Sequence, residues 1–251
     1  MPKNIRKETI YLIYTEREIL SMGDMDFYID TINNLPVPFE DSVTLKEKAV
    51  RVFYDFMQLG HLYDSAIKVV KTYLSILDDE FSLKFQRNPI HNIEDRLKSP
   101  QSIMKKLEKK GLPMTTEAAQ KNLLDIAGIR VTCYYISDIY SLVEMLGHRD
   151  DFTIIKRKDY IKHPKPSGYR SYHLVVNVPV YMSSYKQYAP VEIQIRTMAM
   201  DFWASLEHQL KYKPSTAIPP ELSEELRQCA ERIAETDMQM QRIYMEINDM
   251  E

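Results

Sequence analysis

Alternating apolar and polar residues predict strands in two stretches of the second half of the chain. In "SYHLVVNV" (171–178), the apolar residues at even positions share one face, whereas His173 and Asn177 lie on the other. In "VEIQIRT" (191–197), Val191, Ile193 and Ile195 are apolar and are expected to face inward. The opposite face of that strand carries three polar residues, Glu192, Gln194 and Arg196.

Shorter patterns predict further elements of both kinds. Strand candidates occupy 90–98, 126–135 and 152–160, and apolar residues at helical spacing occur in 137–148. Because strands alternate with helices along the chain, we expect an α/β (α+β) fold, with a mixed β-sheet flanked by helices.

The N-terminal half is predicted to be largely helical. Helical spacing covers about 44–87, where Thr44 and Glu47 indicate a capping box and Gly60 indicates a break into two helices. The sequence before it, 1–43, ends in the proline-containing "NNLPVPFEDS" and is predicted to be an extension. We expect one domain over 44–213.

The last segment, 214–251, is predicted to be an amphipathic helix. From Leu222 to Ile247, its apolar residues alternate spacings of four and three, which is typical of a helix that packs along a partner. This packing could lie within the chain or between subunits. Acidic residues outnumber arginines on this segment, which disfavours RNA as its partner.

Composition excludes several classes of protein. The net charge of -3 argues against wholesale coating of nucleic acid, and no run of eighteen apolar residues predicts a membrane span. The two cysteines, Cys133 and Cys229, favour neither a disulfide framework nor a cysteine metal cluster. We therefore expect a cytoplasmic protein that contacts neither membrane nor DNA.

Two carboxylates stand at the starts of predicted strands. Asp125 precedes the strand "IAGIR", and Glu192 is the second residue of "VEIQIRT". If the sheet brings them together, they form an oxygen site suited to Mg²⁺ and substrate phosphates. Spacing alone leaves open that each is an ordinary solvent-facing acid.

A phosphate site is predicted at the start of a helix over 99–111. Ser99 can cap this helix, Pro100 suits its first position, and Arg96 and Lys98 come just before it. Ser102 and Lys106 lie one and two turns further on and could continue the site, or they could be ordinary surface residues.

A segment rich in cations and proline, residues 156–170, leads into the strand at 171–178. Its cations are Lys156, Arg157, Lys158, Lys162, Lys165 and Arg170, with Asp159 as the one acid among them. Gly168 allows the turn that presents Tyr169, whose ring can stack on a base, a contact worth roughly 1–3 kcal/mol. An ordinary basic surface loop is the simpler interpretation.

Three ordered motifs carry a resemblance to a known family. They are "DIAGIR" (125–130), "YIKHPKPSGYRSYHLVV" (160–176) and "EIQIRTMAMDFWASLEHQLKYK" (192–213). Over about residues 87–213 the chain resembles the synthetase domain of the RelA/SpoT alarmone family, and in particular the stand-alone small alarmone synthetases. The resemblance implies a nucleotidyltransferase-like sheet and transfer of pyrophosphate from ATP to the 3′-hydroxyl of GTP or GDP, giving (p)ppGpp and AMP.

The resemblance also implies roles for individual residues. Asp125 would hold Mg²⁺, and Glu192 would assist the metal or take the proton of the attacking hydroxyl. The residues implied for ATP are Arg96 and Arg130 beside the adenine, and Lys98, Ser102 and Lys106 on the phosphates. The residues implied for the guanine nucleotide are Tyr169, which would stack on the base, and Lys158, Lys165, His173 and Gln194.

The resemblance also has implications for assembly and regulation. Small synthetases of this family form homotetramers, so we expect a homo-oligomer. Three positions associated there with an allosteric nucleotide are Asn92, Glu94 and Asp201 in this chain. Two carboxylates would repel a polyanion, so we expect weak activation by (p)ppGpp.

Two alternatives remain open from the sequence. One is a pyrophosphotransferase acting on the 3′ end of tRNA, and the other is a non-catalytic module that binds nucleotide or RNA. The sequence does not choose between GMP, GDP and GTP as acceptor.

Overall fold

The computed structural model describes residues 39–211 and 219–250. The chain divides into two compact units, Met1–His61 with Ser99–Ala118, and Leu62–Lys98 with Ala119–Glu251. Most of the predicted extension, residues 1–38, lies outside the described part of the chain.

The first described element is one long helix, α1 (Phe39–Phe85). The predicted break near Gly60 is wrong, because the helix runs through this residue without interruption. The predicted start at Thr44 is also wrong, since the helix already begins at Phe39. Glycine inside a helix costs about 1 kcal/mol relative to alanine, and the adjoining turns bury Phe56 and Tyr63 to 2% and 1% exposure. Each such burial contributes roughly 1.5–3 kcal/mol, which outweighs the glycine penalty.

The predicted helix after residue 99 is confirmed as α2 (Pro100–Lys109). Ser99 caps its first turn, because its hydroxyl accepts a hydrogen bond from the Ser102 amide at 3.3 Å. At the other end Gly111 has φ 64°, and the amides of Gly111 and Leu112 bond back to Glu108 and Leu107. This closing motif needs a left-handed residue, which explains the glycine. The short helix α3 (Thr116–Asn122), which the sequence pattern did not predict, follows.

The predicted mixed sheet is confirmed, with five strands in the order β1-β2-β5-β4-β3. The strands are β1 (Ile90–Leu97), β2 (Ala127–Cys133), β3 (Thr153–Asp159), β4 (Tyr172–Tyr181) and β5 (Lys186–Thr197). β2 and β5 are parallel, and the other neighbouring pairs are antiparallel. The apolar alternation predicted for β5 holds, because Val191, Ile193 and Ile195 are all fully buried.

Three of the described helices after residue 135 pack around the sheet in the second unit. They are α4 (Ile136–Gly147), α5 (Met198–Lys211) and α6 (Pro220–Asn248). Helices α4 and α5 contact β2 and β5, and α6 contacts both α4 and α5. Trp203 of α5 is buried, and its indole N–H donates to the Leu226 carbonyl of α6 at 3.1 Å.

Within the chain, most members of the predicted packing seam on the C-terminal helix are exposed, so the intramolecular packing of α6 uses another side; packing of the seam between subunits stays a prediction. Leu222, Met240 and Ile247 are 50%, 50% and 55% exposed, whereas Ala230 and Asp237 are buried. On the buried side of α6, Ala230 packs on Trp203 and Ala204, and polar contacts that apolar periodicity does not report hold the same helix further along. The Asp237 carboxylate accepts a hydrogen bond from the Thr197 hydroxyl at 2.6 Å, and the Gln241 side chain bonds to Ser137 in α4. In the part of the chain that the structure describes, no helix has the length and apolar character to cross a membrane.

Candidate functional site

A cavity of about 460 Å³ opens on one face of the sheet, over β1, β2 and β5. Six of the residues predicted for the site line it: Arg96, Lys98, Asp125, Arg130, Glu192 and Gln194. The two predicted carboxylates and three predicted cations therefore line one cavity, together with the carboxylates of Glu94 and Asp95.

Strand register explains why these side chains meet. Glu94 pairs with Arg130, Arg130 with Gln194, Gln194 with His173, and His173 with Lys158. Directly paired residues of neighbouring strands project from the same face, so these five side chains form one row across the whole sheet. The row joins the predicted ATP residue Arg130 to three residues predicted for the guanine nucleotide.

A second row lies beside the first and forms the floor of the cavity. It contains Arg96, Gly128 and Glu192, which are directly paired across β1, β2 and β5. Gly128 contributes no side chain, and a methyl group there would meet only the Arg96 carbonyl, at 3.7 Å. The glycine therefore keeps the space between Arg96 and Glu192 open.

Lys98 and Asp125 form an ion pair at one side of the cavity. The Lys98 Nζ lies 2.7 Å from Asp125 Oδ2 and 2.8 Å from the Asp125 carbonyl oxygen. Their side chains are 19% and 27% exposed, so the pair is largely shielded from water. A phosphate or cation entering here would exchange partners with an existing charge pair.

Glu192 receives hydrogen bonds on both carboxylate oxygens. Its Oε1 lies 3.4 Å from Nδ1 of His173, and its Oε2 accepts from Gln194 Nε2 at 3.0 Å. The His173 hydrogen bond is the main factor that lowers the pKa of Glu192, and Gln194 lowers it further. Burial and the nearby Asp125 charge act in the opposite direction. Glu192 is therefore ionised at neutral pH. An ionised carboxylate of low pKa is well suited to binding cations and less suited to taking up protons.

The hydrogen bonds around Glu192 close into a ring of five side chains. Tyr169 Oη lies 2.8 Å from His173 Nε2, and Arg196 Nη2 donates to Tyr169 Oη at 2.7 Å. The same Nη2 donates to Gln194 Oε1 at 2.9 Å, which returns the ring to Glu192. Arg196 is 5% exposed. Sequence reasoning placed it on the polar face of β5 and gave it no role.

The loop that carries Tyr169 is held against the C-terminal helix. Gly168 has φ 87°, and a Cβ built on it would lie 2.5 Å from the Ala230 Cβ of α6. Tyr169 packs on the cluster of Trp203, Ala204 and Ala230. Helix α6, which the sequence pattern predicted as a separate segment, therefore supports the Tyr169 ring.

Cations already lie over the Tyr169 ring. Lys165 Nζ is 4.6 Å from the ring centroid, and the Arg196 guanidinium carbon is 5.2 Å from it. Such contacts show that the ring attracts charged or flat groups. A base that stacks on the face covered by Lys165 would displace its ammonium group, so stacking on Tyr169 stays a prediction.

Tyr160 is a second aromatic residue of this region that the sequence reasoning missed. Its ring meets those of Tyr169 and His173 edge to face, with centroids 6.0 and 5.1 Å away. Lys158 Nζ donates to its hydroxyl at 3.0 Å, and Lys165 Nζ lies 4.8 Å above its ring. The sequence signal that could have identified Tyr160 is an aromatic residue at the end of a predicted strand, within a basic segment.

Two predicted ATP residues belong to the first compact unit. Ser102 and Lys106 lie on α2, where the Ser102 hydroxyl is 3.0 Å from the Ser99 hydroxyl. Their roles on the phosphates stay predictions.

The carboxylates associated with an allosteric nucleotide are paired with arginines. Glu94 Oε2 accepts from Arg130 Nη1 at 3.1 Å, and Asp201 Oδ1 accepts from Arg196 Nη1 at 3.0 Å. Arg130 Nε also lies 3.6 Å from Asp201 Oδ1. Because these charges are compensated, repulsion of a polyanion is weaker than the sequence alone suggested. Weak activation by (p)ppGpp stays a prediction.

A comparison with known proteins identifies the family. The profile described as "Region found in RelA / SpoT proteins" matches residues 95–217. GTP pyrophosphokinase YwaC of Bacillus subtilis is 42% identical over 207 residues, which are 82% of this chain and 99% of that protein. GTP pyrophosphokinase YjbM of the same organism is 37% identical over 187 residues, covering 74% of this chain and 87% of the relative.

A solved structure extends the likeness to the fold. Small alarmone synthetase 1 from Bacillus subtilis, bound to its product pppGpp, superposes with a TM-score of 0.68 at 38% identity. The superposition covers 74% of this chain and 94% of that chain. The chain therefore belongs to the RelA/SpoT family, in the class of the small alarmone synthetases.

Proposed function

We propose that the chain transfers pyrophosphate from ATP to the 3′-hydroxyl of a guanosine nucleotide, giving a (p)ppGpp-type alarmone and AMP. The observation that carries this proposal is the row from Arg130 through Gln194 and His173 to Lys158, which joins the two predicted nucleotide sites on one face of the sheet. The product bound to the similar synthetase supports the same chemistry.

The reaction needs mainly positioning and charge neutralisation. The 3′-hydroxyl oxygen of the acceptor attacks the β-phosphorus of ATP and releases its proton to solvent, the bond from that phosphorus to the oxygen bridging to the α-phosphorus breaks, and AMP leaves. Arg96 and Arg130 line the cavity on the side assigned to the adenine, with Lys98 beside Asp125 for the phosphates. Lys158 and Lys165 would bind the phosphates of the acceptor while Tyr169 holds its base.

Mg²⁺ is the proposed cofactor, held by Asp125 and Glu192. The described residues contain no group of three or more His, Cys, Asp or Glu side chains arranged to hold a metal ion by themselves. Two carboxylates in one cavity nevertheless fit Mg²⁺, because this ion commonly uses one or two carboxylates and completes its shell with water and substrate phosphates. When bound, it would neutralise phosphate charge. The lowered pKa of Glu192 keeps this carboxylate ionised for that task.

We also propose that the chain forms a homo-oligomer, namely a homotetramer. The exposed residues Met198, Phe202, Leu206 and Leu210 recur every four positions on α5, each between 46% and 59% exposed. Such a stripe favours burial against another protein surface. Light scattering should return a tetramer, and a monomer with full activity would contradict this proposal.

The proposed activity is tested by identifying the product. Purified protein is incubated with radiolabelled ATP and, separately, GMP, GDP, GTP or tRNA, with and without Mg²⁺. A Mg²⁺-dependent guanosine 3′-pyrophosphate supports the proposal, and the three nucleotides rank the acceptors. Transfer to tRNA alone would favour the tRNA alternative, and no transfer to any acceptor would favour a binding module. A cytoplasmic location stays a prediction.

A further inference from the structure

Arg196 is a buried cation that belongs to neither of the two predicted nucleotide sites. Its guanidinium donates to Asp201, Tyr169 and Gln194, at 3.0, 2.7 and 2.9 Å. Its side chain is 6% exposed, although it stands on the same face of β5 as Glu192 and Gln194. Burying a charged group is costly unless it is paired, and Asp201 supplies the opposite charge.

The chemistry of the guanidinium fixes the direction of one chain of hydrogen bonds. Arginine can only donate, so the Tyr169 oxygen is an acceptor in this contact. The hydroxyl hydrogen of Tyr169 is then available for His173 Nε2, 2.8 Å away. The ionised Glu192 carboxylate can only accept, so the hydrogen between these two residues stands on His173 Nδ1, 3.4 Å from Glu192 Oε1, which leaves Nε2 to accept from Tyr169.

A second chain runs from the same nitrogen of Arg196. Because Nη2 donates to Oε1 of Gln194, the amide is oriented with its NH₂ group towards Glu192. That group donates to Glu192 Oε2 at 3.0 Å. Each oxygen of the Glu192 carboxylate is therefore oriented by a hydrogen-bond chain that begins at Arg196.

We propose that Arg196 is a positioning residue for pyrophosphate transfer: it orients Glu192 through Gln194 and through Tyr169 and His173, and holds the Tyr169 ring that receives the acceptor base. The inference rests on the proposed function and deepens it. Lysine cannot replace Arg196, because its single ammonium lacks the planar fork that reaches Asp201, Tyr169 and Gln194 together.

The proposal predicts where kinetic effects fall. Arg196→Lys keeps the charge that Asp201 needs but loses the donors to the two chains. Loss of a group that orients a functional residue typically reduces activity roughly 10–100-fold. We expect a loss of this size in kcat/KM for GDP, shared between a lower kcat and weaker GDP binding, with the KM for ATP changed less than twofold.

Tyr169→Phe separates the two parts of this effect. It removes the hydroxyl that links Arg196 to His173 but keeps the ring packed on Trp203, Ala204 and Ala230, so kcat should fall more than GDP affinity, measured by calorimetry without ATP. Both changes break the same hydrogen-bond chain. The double variant Arg196→Lys with Tyr169→Phe should therefore lose less kcat than the product of the two single fold-losses.

The matched control is Arg149→Lys. Arg149 also forms a two-pronged pair with a carboxylate, Asp151, and lies 4.4 and 4.5 Å from the rings of Tyr73 and Phe152, but does not line the cavity. We expect it to change melting temperature without changing either KM.

The outcomes separate this inference from the proposed function. If the wild-type protein shows no pyrophosphate transfer, the proposed function itself is contradicted. An active wild-type protein whose Arg196→Lys variant melts lower but keeps its kcat and both KM values would show that Arg196 is structural only. Fully multiplicative effects in the double variant would refute the chain through Tyr169.

Discussion

Replacing Gly168 by alanine tests how the C-terminal helix supports the Tyr169 loop. The new methyl group would lie 2.5 Å from the Ala230 Cβ, well inside van der Waals contact. At φ 87°, an L residue also costs roughly 1–2 kcal/mol, and overpacking adds roughly 1–3 kcal/mol. We therefore expect a destabilisation of about 2–5 kcal/mol.

Gly111→Ala provides the matched control. Gly111 also has positive φ, 64°, but nothing lies within 4 Å of a Cβ placed there. It should lose only the roughly 1–2 kcal/mol of backbone strain. For a chain of this length, 1 kcal/mol corresponds to roughly 2–4 °C, so Gly168→Ala should melt roughly 2–12 °C lower than Gly111→Ala by circular dichroism.

A compensating change identifies the clash itself. Ala230→Gly removes the atom that Gly168→Ala would strike, at a cost of about 1 kcal/mol to the helix. The double variant should therefore be more stable than Gly168→Ala alone and recover GDP use, because the Tyr169 loop returns to its place. Equal melting temperatures for Gly168→Ala and Gly111→Ala, or no rescue by Ala230→Gly, would refute the packing argument.

Three further predictions concern the two nucleotide sites and one buried acid. Tyr169→Ala should raise the KM for GDP far more than that for ATP, because the ring is assigned to the acceptor base, and a rise for ATP alone would reverse the assignment. Gly128→Val should abolish ATP binding because its side chain fills the cavity floor, and Gly128→Ala should weaken ATP binding less. Equal ATP affinities of the two variants by calorimetry would contradict this. Burial raises the pKa of Asp237, so its charged form opposes folding above that pKa and stability increases as pH falls towards 4. Asp237→Asn, which can still accept from Thr197, should raise the melting temperature at pH 7.5 with a gain that vanishes near pH 4, and a gain independent of pH would be inconsistent with this cause.

The strands and their faces were predictable because each alternation is local. In β5, the buried Ile193 and Ile195 alternate with Gln194 and Arg196, and a period of two fixes which side chains share a face. Strand order was not predictable in this way. The parallel pairing of β5 with β2 places Gln194 beside Arg130, although they are far apart in sequence.

The helical predictions failed where tertiary contacts outweigh local signals. Gly60 is a genuine helix-weakening residue, yet burial around it keeps α1 continuous. On α6 the apolar spacing predicts a seam through Met240, whereas within the chain the hydrogen bond from Thr197 to Asp237 turns a different side inward; packing of the seam against another subunit stays a prediction.

Arg196 shows why the hydrogen-bond ring was not predictable. In the sequence it is a polar residue on the exposed side of an alternating strand. Its burial depends on Tyr169 from a distant loop and on Asp201 of α5, whose positions only the folded chain defines.

The central claim is that Asp125 and Glu192 together support the transfer. Asp125→Asn and Glu192→Gln each remove charge with little change in volume, so both variants should fold as the wild type and form no guanosine 3′-pyrophosphate above background. Asp151→Asn and Glu224→Gln are matched controls, because these exposed acids pair with Arg149 and Arg227, and neither acid lines the cavity. The direct measurement is the initial rate of product formation from labelled ATP and GDP at saturating Mg²⁺. Loss of product in both cavity variants with normal rates in both controls is the predicted result, and near-normal turnover of a folded Asp125→Asn or Glu192→Gln variant would contradict the account.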